Sequence, residues 1–295
     1  YNYHLKGSLM KKSELIINPD GGVYHLHLLP GDIAKKIILV GDPGRVDLLA
    51  DLLTNIRVNK QNREFHTITG EYGLEEISII STGIGTDNID IVMNELDALV
   101  NVDFSTHEPK KELTQLTIVR LGTCGAINAE IPVGSTIISE VAIGFDSLLH
   151  FYGDYEWVLE PALTNELTEY LEWPDMLSYP YAVKADKELF LQMFDKSYYH
   201  GMTISTPGFY APQGRSIRLK TFDDEINDML SQFDRFDIKI CNYEMESSAI
   251  YGLSKLLGHK AVTLCVAIAN RATGDFLSNY QPKVYELAKR IMDQI

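Results

Sequence analysis

The sequence carries little positive charge for its size. Its 295 residues include 26 Lys and Arg against 41 Asp and Glu, which gives a formal net charge of -15 and a pI near 4.9. Nucleic acids and anionic membrane surfaces bind proteins through basic faces. The charge balance therefore predicts a protein with neither of these partners. It also makes arginines beside glycine-rich segments the candidates for binding a small anion.

Cysteine is scarce as well, and the three residues, Cys124, Cys241 and Cys265, are far apart in the chain. They form no C-x-x-C pair, which argues against a zinc ribbon or a disulfide framework. Their largely apolar sequence surroundings are typical of buried, reduced thiols in a cytoplasmic protein. From this pattern we expect no bound metal.

No apolar segment is long enough to cross a bilayer. The longest, Ala261 to Ala269, is far shorter than the roughly 20 residues that a transmembrane helix needs. The first residues of the chain lack the apolar region of a secretory signal. Met10 begins Met-Lys-Lys-Ser, a reasonable natural start, so we expect the residues before it to be an expression remnant.

Two common nucleotide-binding signatures are missing from the sequence. No G-x-x-x-x-G-K-[ST] phosphate loop occurs, and no G-x-G-x-x-G motif is followed by an acidic residue about 20 positions later. The hypotheses of a kinase and of a dehydrogenase therefore lose their main support.

Apolar runs of strand length alternate with segments of helical periodicity along most of the chain. This alternation predicts an α/β fold with a central mixed, mostly parallel sheet flanked by helices. No repeat or linker divides the chain, so we expect one domain over residues 1–295, with 1–20 as an N-terminal extension. The predicted strands are 36–40, 77–81, 116–121, 135–139 and 261–269, and the predicted helices are 46–53, 88–99, 164–171, 187–194, 225–233, 245–257 and 280–295.

Three glycine-rich segments follow predicted strands: Gly41-Asp-Pro-Gly-Arg45, Ser81-Thr-Gly-Ile-Gly-Thr86 and Arg120-Leu-Gly-Thr-Cys-Gly125. In an open α/β sheet the carboxyl ends of the strands meet at one crevice, where the N–H groups of turns can bind an anion. Arg45 and Arg120 add positive charge to two of these segments. Taken alone, each segment could equally be an ordinary strand-to-helix connection.

Three further segments carry polar residues suited to a binding site. Gly208 to Ser216 combines an aromatic residue with a glutamine and an arginine, the composition of a pocket wall that binds a flat polar ring. Asn242 is a candidate N-cap or turn residue before Glu244 and Glu246, which are two residues apart and cannot share a helix face. One carboxylate can point at a hydroxylated ligand, or both can simply complement the helix dipole. Arg271 ends the most apolar strand and needs either a ligand or a carboxylate partner there.

Together these segments resemble the nucleoside phosphorylase family of the uridine phosphorylase type. The resemblance runs from about Tyr24 to the C-terminus, with the motifs YHLHL, GDPGR, NREFHT, STGIGT, VRLGTCGA, GFYAPQGR, NYEMESSA and AIANR in the same order. It implies reversible attack of inorganic phosphate on C1′ of uridine, which yields uracil and ribose 1-phosphate. Phosphate is then a cosubstrate, and no cofactor is expected.

The resemblance also implies a role for each matching residue. Phosphate would be bound by Gly41, Arg45, Arg120, Thr123 and, from a neighbouring subunit, Arg63. Ribose would be bound by Thr123, Met245, Glu246 and, across a dimer interface, His25. Uracil would be held by Gly125, Phe209, Gln213 and Arg215. Arg215, Gln213 and Arg271 would be the catalytic residues that stabilise charge on the departing uracil.

Arg271 separates the close alternatives. In the bacterial hexameric purine nucleoside phosphorylases that the chain resembles, an aspartate at this position would protonate the base, so an arginine favours uridine, with deoxyuridine or thymidine as further substrates. A purine nucleoside phosphorylase and a nucleosidase of the same superfamily are the remaining alternatives. The nucleosidase is disfavoured by Arg45, Arg63 and Arg120, because attacking water needs no cradle of guanidinium groups.

Two departures from the bacterial pattern bear on cations and assembly. A monovalent-cation site of the family would include Glu64 and Ile84, but its serine is replaced here by Asn88, so a potassium site is doubtful. The polar segment Asp103 to Gln115 is longer than in the compact bacterial enzymes and could block the packing of dimers into a hexamer. We therefore expect a homodimer as the minimal unit, with a hexamer as the alternative.

Overall fold

The predicted strands come together in one sheet in the computed structural model, which describes residues 10–295. The strands in this range are β1 (Lys36–Val40), β2 (Thr54–Asn62), β3 (Phe65–Tyr72), β4 (Glu75–Ser81), β5 (Val102–Asp103), β6 (Glu108–Pro109), β7 (Thr117–Ala126), β8 (Thr136–Gly144), β9 (Tyr181–Lys184), β10 (Tyr199–Ser205), β11 (Asp234–Arg235), β12 (Ile238–Glu244) and β13 (Lys260–Asn270). The α-helices are α1 (Pro43–Ala50), α2 (Thr86–Asn101), α3 (Pro161–Tyr170), α4 (Lys187–Met193), α5 (Ile226–Gln232), α6 (Ser247–Leu257) and α7 (Gln281–Gln294).

The sheet is mixed and partly closed on itself. Its strand order is β11-β12-β10-β8-β13-β7-β1-β4-β3-β2, and β9 adds to β8. Because β12 also pairs with β7, the strands β7, β13, β8, β10 and β12 form a closed ring. The neighbours β4, β1, β7 and β13 run parallel, as do β8, β10 and β12, and the other pairs are antiparallel. The predicted α/β fold with a mixed central sheet is confirmed.

Strand β7 pairs with two different strands along one of its edges, and the change comes near its middle. Its first half pairs with β1 as far as Leu39, which lies opposite Arg120, and its end pairs with β12, where Tyr243 lies opposite Gly125. Among the described strands, none pairs with this edge of β7 between those two points. A crevice therefore opens beside the carboxyl end of β1, the place where ligands bind in open α/β sheets.

The helices bury their apolar faces against this sheet. Residues Ile37 to Val40 of β1 are fully buried, as expected for a parallel strand covered on both faces. A large core joins β1, β4 and β7 to α1, α2, α6 and α7, and smaller apolar clusters lie along β8, β10 and β12. All three cysteines are free, and they are buried as predicted. Within residues 10–295, no helix combines the length and apolar character needed to cross a membrane.

The element predictions differ from the structure mainly at their boundaries. Each predicted helix is present, but α1 begins at Pro43 rather than Val46, because the side chain of Asp42 caps a helix that a proline can start. The segment Arg120 to Gly125 is not a turn, since it lies inside the ten-residue strand β7. The segment Asp103 to Gln115 is largely exposed and includes the short hairpin of β5 and β6. The predicted expression remnant, residues 1–9, lies outside the described residues.

Candidate active site

A cavity of about 940 Å³ occupies the crevice beside β7. It brings together residues from seven separate parts of the chain. All of the predicted site residues except His25 and Arg63 line it. The predicted residues that line it are Gly41, Arg45, Arg120, Thr123, Gly125, Phe209, Gln213, Arg215, Met245, Glu246 and Arg271. The three glycine-rich segments therefore converge at one cavity, as predicted, although the third belongs to a strand rather than to a turn.

Arg45 places a buried cation at one end of the cavity. Strand β1 ends at Val40, and the carboxylate of Asp42 then accepts a hydrogen bond from the N–H of Gly44 at 3.0 Å, which starts α1. Arg45 lies in the first turn, and its Nη1 donates to the carbonyl of Leu121 at 3.3 Å. Burial, together with the positive charge of Arg120, lowers the pKa of Arg45. Two guanidinium groups whose charges repel each other in this way are suited to bind an anion.

Arg120 is the second buried cation and is the centre of a charged cluster. It points from β7 towards the ends of β12 and α6, where its Nη2 contacts the carboxylate of Glu246 and lies 3.3 Å from that of Glu244. Its Nη1 donates to Sγ of Cys265 at 3.3 Å. Burial opposes the charge of Arg120, but the two carboxylates outweigh it and raise the pKa of this arginine. Arg120 is therefore charged at neutral pH.

The acidic segment after β12 differs from the predicted arrangement. Asn242 is neither an N-cap nor a turn residue, because it lies within β12, and α6 begins only at Ser247. Glu244 and Glu246 therefore lie before the helix, and the helix-face argument against a shared site does not apply to them. Both carboxylates converge on Arg120. Neither carboxylate lies on a helix surface, because both side chains are buried.

Glu246 lines the cavity beside Arg120. Its carboxylate accepts a hydrogen bond from the N–H of Gly85 at 2.8 Å, which ties the segment before α2 to the start of α6. Gly85 has φ of 97°, a conformation that favours glycine, so this N–H can reach a buried carboxylate. Burial raises the pKa of Glu246, whereas Arg120 acts in the opposite direction. A carboxylate so placed can accept hydrogen bonds from the hydroxyl groups of a sugar.

The other end of the cavity is built for a flat polar ring. The guanidinium carbon of Arg215 lies 3.8 Å from the ring centre of Phe209, and Nη1 of Arg215 donates to the carbonyl of Phe209 at 2.5 Å and to Oε1 of Gln213. Arg271 donates from Nη2 to the carbonyl of Gly214 at 3.4 Å. Burial and the charge of Arg271 lower the pKa of Arg215 to about 10. This end therefore combines positive charge with an aromatic face and an amide.

Gly125 forms the floor beside these two arginines. A methyl group added at Gly125 would lie 3.7 Å from Cδ of Arg271 and 3.8 Å from Nη2 of Arg215. The peptide at Gly125 thus borders both guanidinium groups. The backbone there can approach a planar ligand closely.

His25 and Arg63 do not line the cavity of their own chain. Nδ1 of His25 lies 2.6 Å from the carboxylate of Glu95 on α2, and that carboxylate also accepts from the N–H groups of His25 and Leu26. The guanidinium carbon of Arg63 lies 5.9 Å from the ring centre of Tyr24. The structure therefore brings these two segments together on a surface next to the cavity rather than inside it.

Several lining residues were not assigned from the sequence. They are Asp42, Cys124, Tyr243, Asp275 and Phe276, among others. Tyr243 lies between Asn242 and Glu244 in β12, so strand alternation would have pointed it away from them and towards the base end. Its hydroxyl is buried and makes no hydrogen bond within the described residues. The sequence predicts this orientation of Tyr243 only if β12 is assigned as a strand.

The residues that would form a monovalent-cation site do not fit that role. Glu64, Ile84 and Asn88 all line the cavity, but Nδ2 of Asn88 points at the carbonyl oxygen of Ile84 at 3.3 Å. An amide N–H in that position donates to an oxygen that would otherwise bind the cation. Among the described residues, no cluster of three His, Cys, Asp or Glu side chains could hold a metal ion.

The sequence and the fold match those of known proteins. A uridine phosphorylase of Thermococcus kodakarensis is 31% identical over 258 residues, which cover 87% of this chain and 80% of that protein. A uridine phosphorylase of Haemophilus influenzae is 30% identical over 257 residues, covering 85% and 87%. The solved structure of a Trypanosoma brucei nucleoside phosphorylase, which shows uridine phosphorylase activity, matches with a TM-score of 0.82 at 26% identity, over 95% of this chain and 98% of that chain.

The family model of the phosphorylase superfamily matches residues 35–294, which include every predicted site residue except His25. The match spans the sheet, the helices and the cavity. The chain belongs to the phosphorylase superfamily.

Proposed function

We propose that the protein catalyses the reversible phosphorolysis of uridine to uracil and ribose 1-phosphate. The observation that carries this proposal is the order of groups along one cavity. Two buried guanidinium groups, of Arg45 and Arg120, lie at one end, the carboxylate of Glu246 contacts Arg120, and the Gln213–Arg215 pair lies at the other end. A phosphate, a ribose and a planar base need these groups in this order.

The reaction needs no nucleophile from the protein. The C1′–N1 bond breaks as a phosphate oxygen forms a bond to C1′, and the electron pair of the broken bond leaves with uracil. The ribose develops positive charge, which the neighbouring phosphate dianion stabilises before it bonds. Arg45 and Arg120 hold that phosphate, with Gly41 and Thr123 beside them, so that the attack is effectively intramolecular.

The leaving uracil collects negative charge on its carbonyl oxygens. Arg215 supplies a guanidinium at this position, in the manner of an oxyanion hole, and Arg271 adds a second charge nearby. The amide of Gln213 offers one donor and one acceptor, which complement a carbonyl and the imide N–H of uracil. The guanidinium of Arg215 lies over one face of the Phe209 ring, and the aromatic ring can stack with the base.

A purine nucleoside is the less favoured substrate. Departure of a purine is assisted by a proton on N7, and Arg271 cannot act as that acid because a guanidinium does not release its proton at neutral pH. Asp275 also lines the cavity, but its carboxylate accepts from the hydroxyl of Thr273 at 2.6 Å. The base end therefore favours stabilisation of an anion over protonation of a ring nitrogen.

A substrate panel tests this function. Uridine, thymidine, inosine and adenosine are each incubated with and without inorganic phosphate, and free base and ribose 1-phosphate are measured. We expect uracil and ribose 1-phosphate in equal amounts, only from uridine with phosphate, with slower cleavage of thymidine. Release of uracil at the same rate without phosphate would instead show a nucleosidase, and faster cleavage of inosine would show a purine enzyme.

We further infer that a homodimer is the minimal active unit. His25 and Arg63 lie together beside the cavity rather than in it, on a surface that also carries the exposed side chain of Ile84. In a dimer that joins two such surfaces, each chain can supply His25 to the ribose and Arg63 to the phosphate of the other. Mixing Arg63→Ala with an inactive Arg45→Ala variant should restore part of the activity if mixed dimers form, and no recovery after subunit exchange would contradict this.

A further inference from the structure

One buried carboxylate, that of Glu244, connects Arg120 to the segment that carries Glu246. Glu244 ends β12, and its side chain is 1% exposed. The carboxylate accepts hydrogen bonds from the N–H groups of Glu246 and Ser247, each at 3.0 Å, and from the hydroxyl of Ser205 at 2.5 Å. It also lies 3.3 Å from Nη2 of Arg120. Its partners therefore come from β7, β10 and the start of α6.

The side chain of Glu244 caps the N-terminus of α6. The residue at the N-cap position, Glu246, makes no capping hydrogen bond with its side chain. The first N–H of the helix, that of Ser247, donates to Glu244 instead. Because a helix start buried without partners is unfavourable, Glu244 holds the turn that contains Met245 and Glu246. The carboxylate of Glu246 is thereby free to face the cavity.

Glu244 also restricts the position of Arg120. Glu246 and Glu244 contact the same guanidinium nitrogen, Nη2. Both carboxylates line the cavity, but that of Glu244 is also held by two backbone N–H groups and a buried hydroxyl. A guanidinium paired with this anchored carboxylate keeps its place when a ligand enters.

We propose that Glu244 is a positioning residue that sets the guanidinium of Arg120 and the carboxylate of Glu246 relative to each other. The inference rests on the proposed function, which assigns phosphate to Arg120 and ribose to Glu246. A single substitution at Glu244 should therefore impair the use of both substrates. By contrast, Arg45→Ala should chiefly impair phosphate, and Glu246→Gln should chiefly impair the nucleoside.

Glu244→Gln tests the proposal because it keeps the size of the side chain and one oxygen acceptor. We expect the KM values of phosphate and of uridine both to rise about tenfold, as is found when a group that orients a ligand-binding residue is replaced. Removing a negative charge beside an anion site would by itself strengthen phosphate binding. Weaker phosphate binding can therefore arise only from lost positioning.

Calorimetric titration with inorganic phosphate gives a second readout that needs no turnover. Asp186→Asn is the matched control, because the carboxylate of Asp186 caps α4 by accepting from the N–H of Leu189 at 2.9 Å and does not line the cavity. The control should lower the melting temperature and leave both KM values unchanged. If Glu244→Gln does the same, or if it binds phosphate more tightly than the wild type, the proposal is wrong.

The two proposals fail in different ways. If the wild-type protein binds phosphate but does not cleave uridine, the proposed function is wrong, and calorimetry still decides whether Glu244 positions Arg120. If uridine is cleaved with phosphate and Glu244→Gln changes only one of the two KM values, the proposed function stands and the linking role of Glu244 is excluded.

Discussion

The guanidinium of Arg120 lies over the α-carbon of Gly122, two residues further along the same strand. A methyl group added at Gly122 would lie 1.9 Å from Nη1 of Arg120 and 2.8 Å from Sγ of Cys265. A separation of 1.9 Å is far below any van der Waals contact, so glycine is required here for space. Because Gly122 has no side chain, the side chain of Arg120 can lie along its own strand and reach the cavity.

Gly122→Ala should therefore displace Arg120. We expect a loss of about 100-fold in the rate with phosphate, comparable to the removal of one oxyanion-binding donor. The overpacking should also lower the free energy of unfolding by about 1–3 kcal/mol. Steady-state kinetics with varied phosphate and a denaturant titration measure the two effects.

Gly153→Ala is the control for that substitution. No heavy atom lies within 4 Å of a methyl group added at Gly153, and its φ is not in the left-handed region. Its rate and stability should match those of the wild type. Full activity of Gly122→Ala would mean that Arg120 does not need its observed position.

Arg45→Ala should weaken the use of phosphate by about 2–4 kcal/mol of transition-state stabilisation, because it removes one of the two buried guanidinium groups. Arg45→Lys should restore only part of this, since an ammonium provides the charge without the planar fork. The measurement is kcat/KM for phosphate at saturating uridine.

Arg57→Ala provides the matched control for Arg45. Arg57 pairs with the carboxylate of Glu76, with Nη2 to Oε2 at 2.9 Å, and lies outside the cavity. It should leave kcat/KM unchanged. If Arg45→Ala has the same kcat/KM for phosphate as the wild type, Arg45 does not bind phosphate.

The periodicity of apolar residues predicted the helices but missed several strands. Strand β2, Thr54–Asn62, is mostly polar and exposed because it lies at the edge of the sheet. Strands β10 and β12 carry buried polar residues that bond across the ring, as where the hydroxyl of Thr203 donates to Oδ1 of Asn242 at 2.9 Å. Local hydropathy cannot detect such strands, because their polar groups are satisfied only by a neighbour distant in sequence.

The same limit explains the error at Glu244 and Glu246. Residues two apart cannot share a helix face, and that argument was sound for a helix. The segment instead leaves the end of a strand, and the pairing of β12 with β7 brings both carboxylates to Arg120. The motifs identified the residues that meet in the cavity. They did not show that both carboxylates pair with one arginine, because that arrangement depends on contacts between strands that are distant in sequence.

The activity should not depend on potassium. The carbonyl oxygen of Ile84 accepts from the amide of Asn88, so a cation would have to displace this hydrogen bond and face its N–H dipole. We expect equal rates in potassium phosphate and in tetramethylammonium phosphate at the same ionic strength. Asn88→Ser removes the amide donor and should not lower the rate in potassium. A rate that falls several-fold when potassium is withdrawn from the wild type would contradict this.

The pH dependence of uridine cleavage should show an alkaline limb near pH 10. Burial and the charge of Arg271 lower the pKa of Arg215 to about 10, so the guanidinium is charged below that pH and loses its proton above it. Only the charged form stabilises the leaving uracil, and kcat/KM should fall as the pH rises through this value. The imide proton of uridine also titrates in alkali, but its pKa belongs to the substrate and cannot respond to a change in the protein.

Arg271→Gln separates these two sources of the limb. Without the charge of Arg271, one of the two causes that lower the pKa of Arg215 is lost, and that pKa should rise. The alkaline limb should then move to higher pH, although the overall rate falls. A limb that stays in place in the Arg271→Gln variant would assign it to the substrate, and Arg215 would then be charged throughout the accessible pH range.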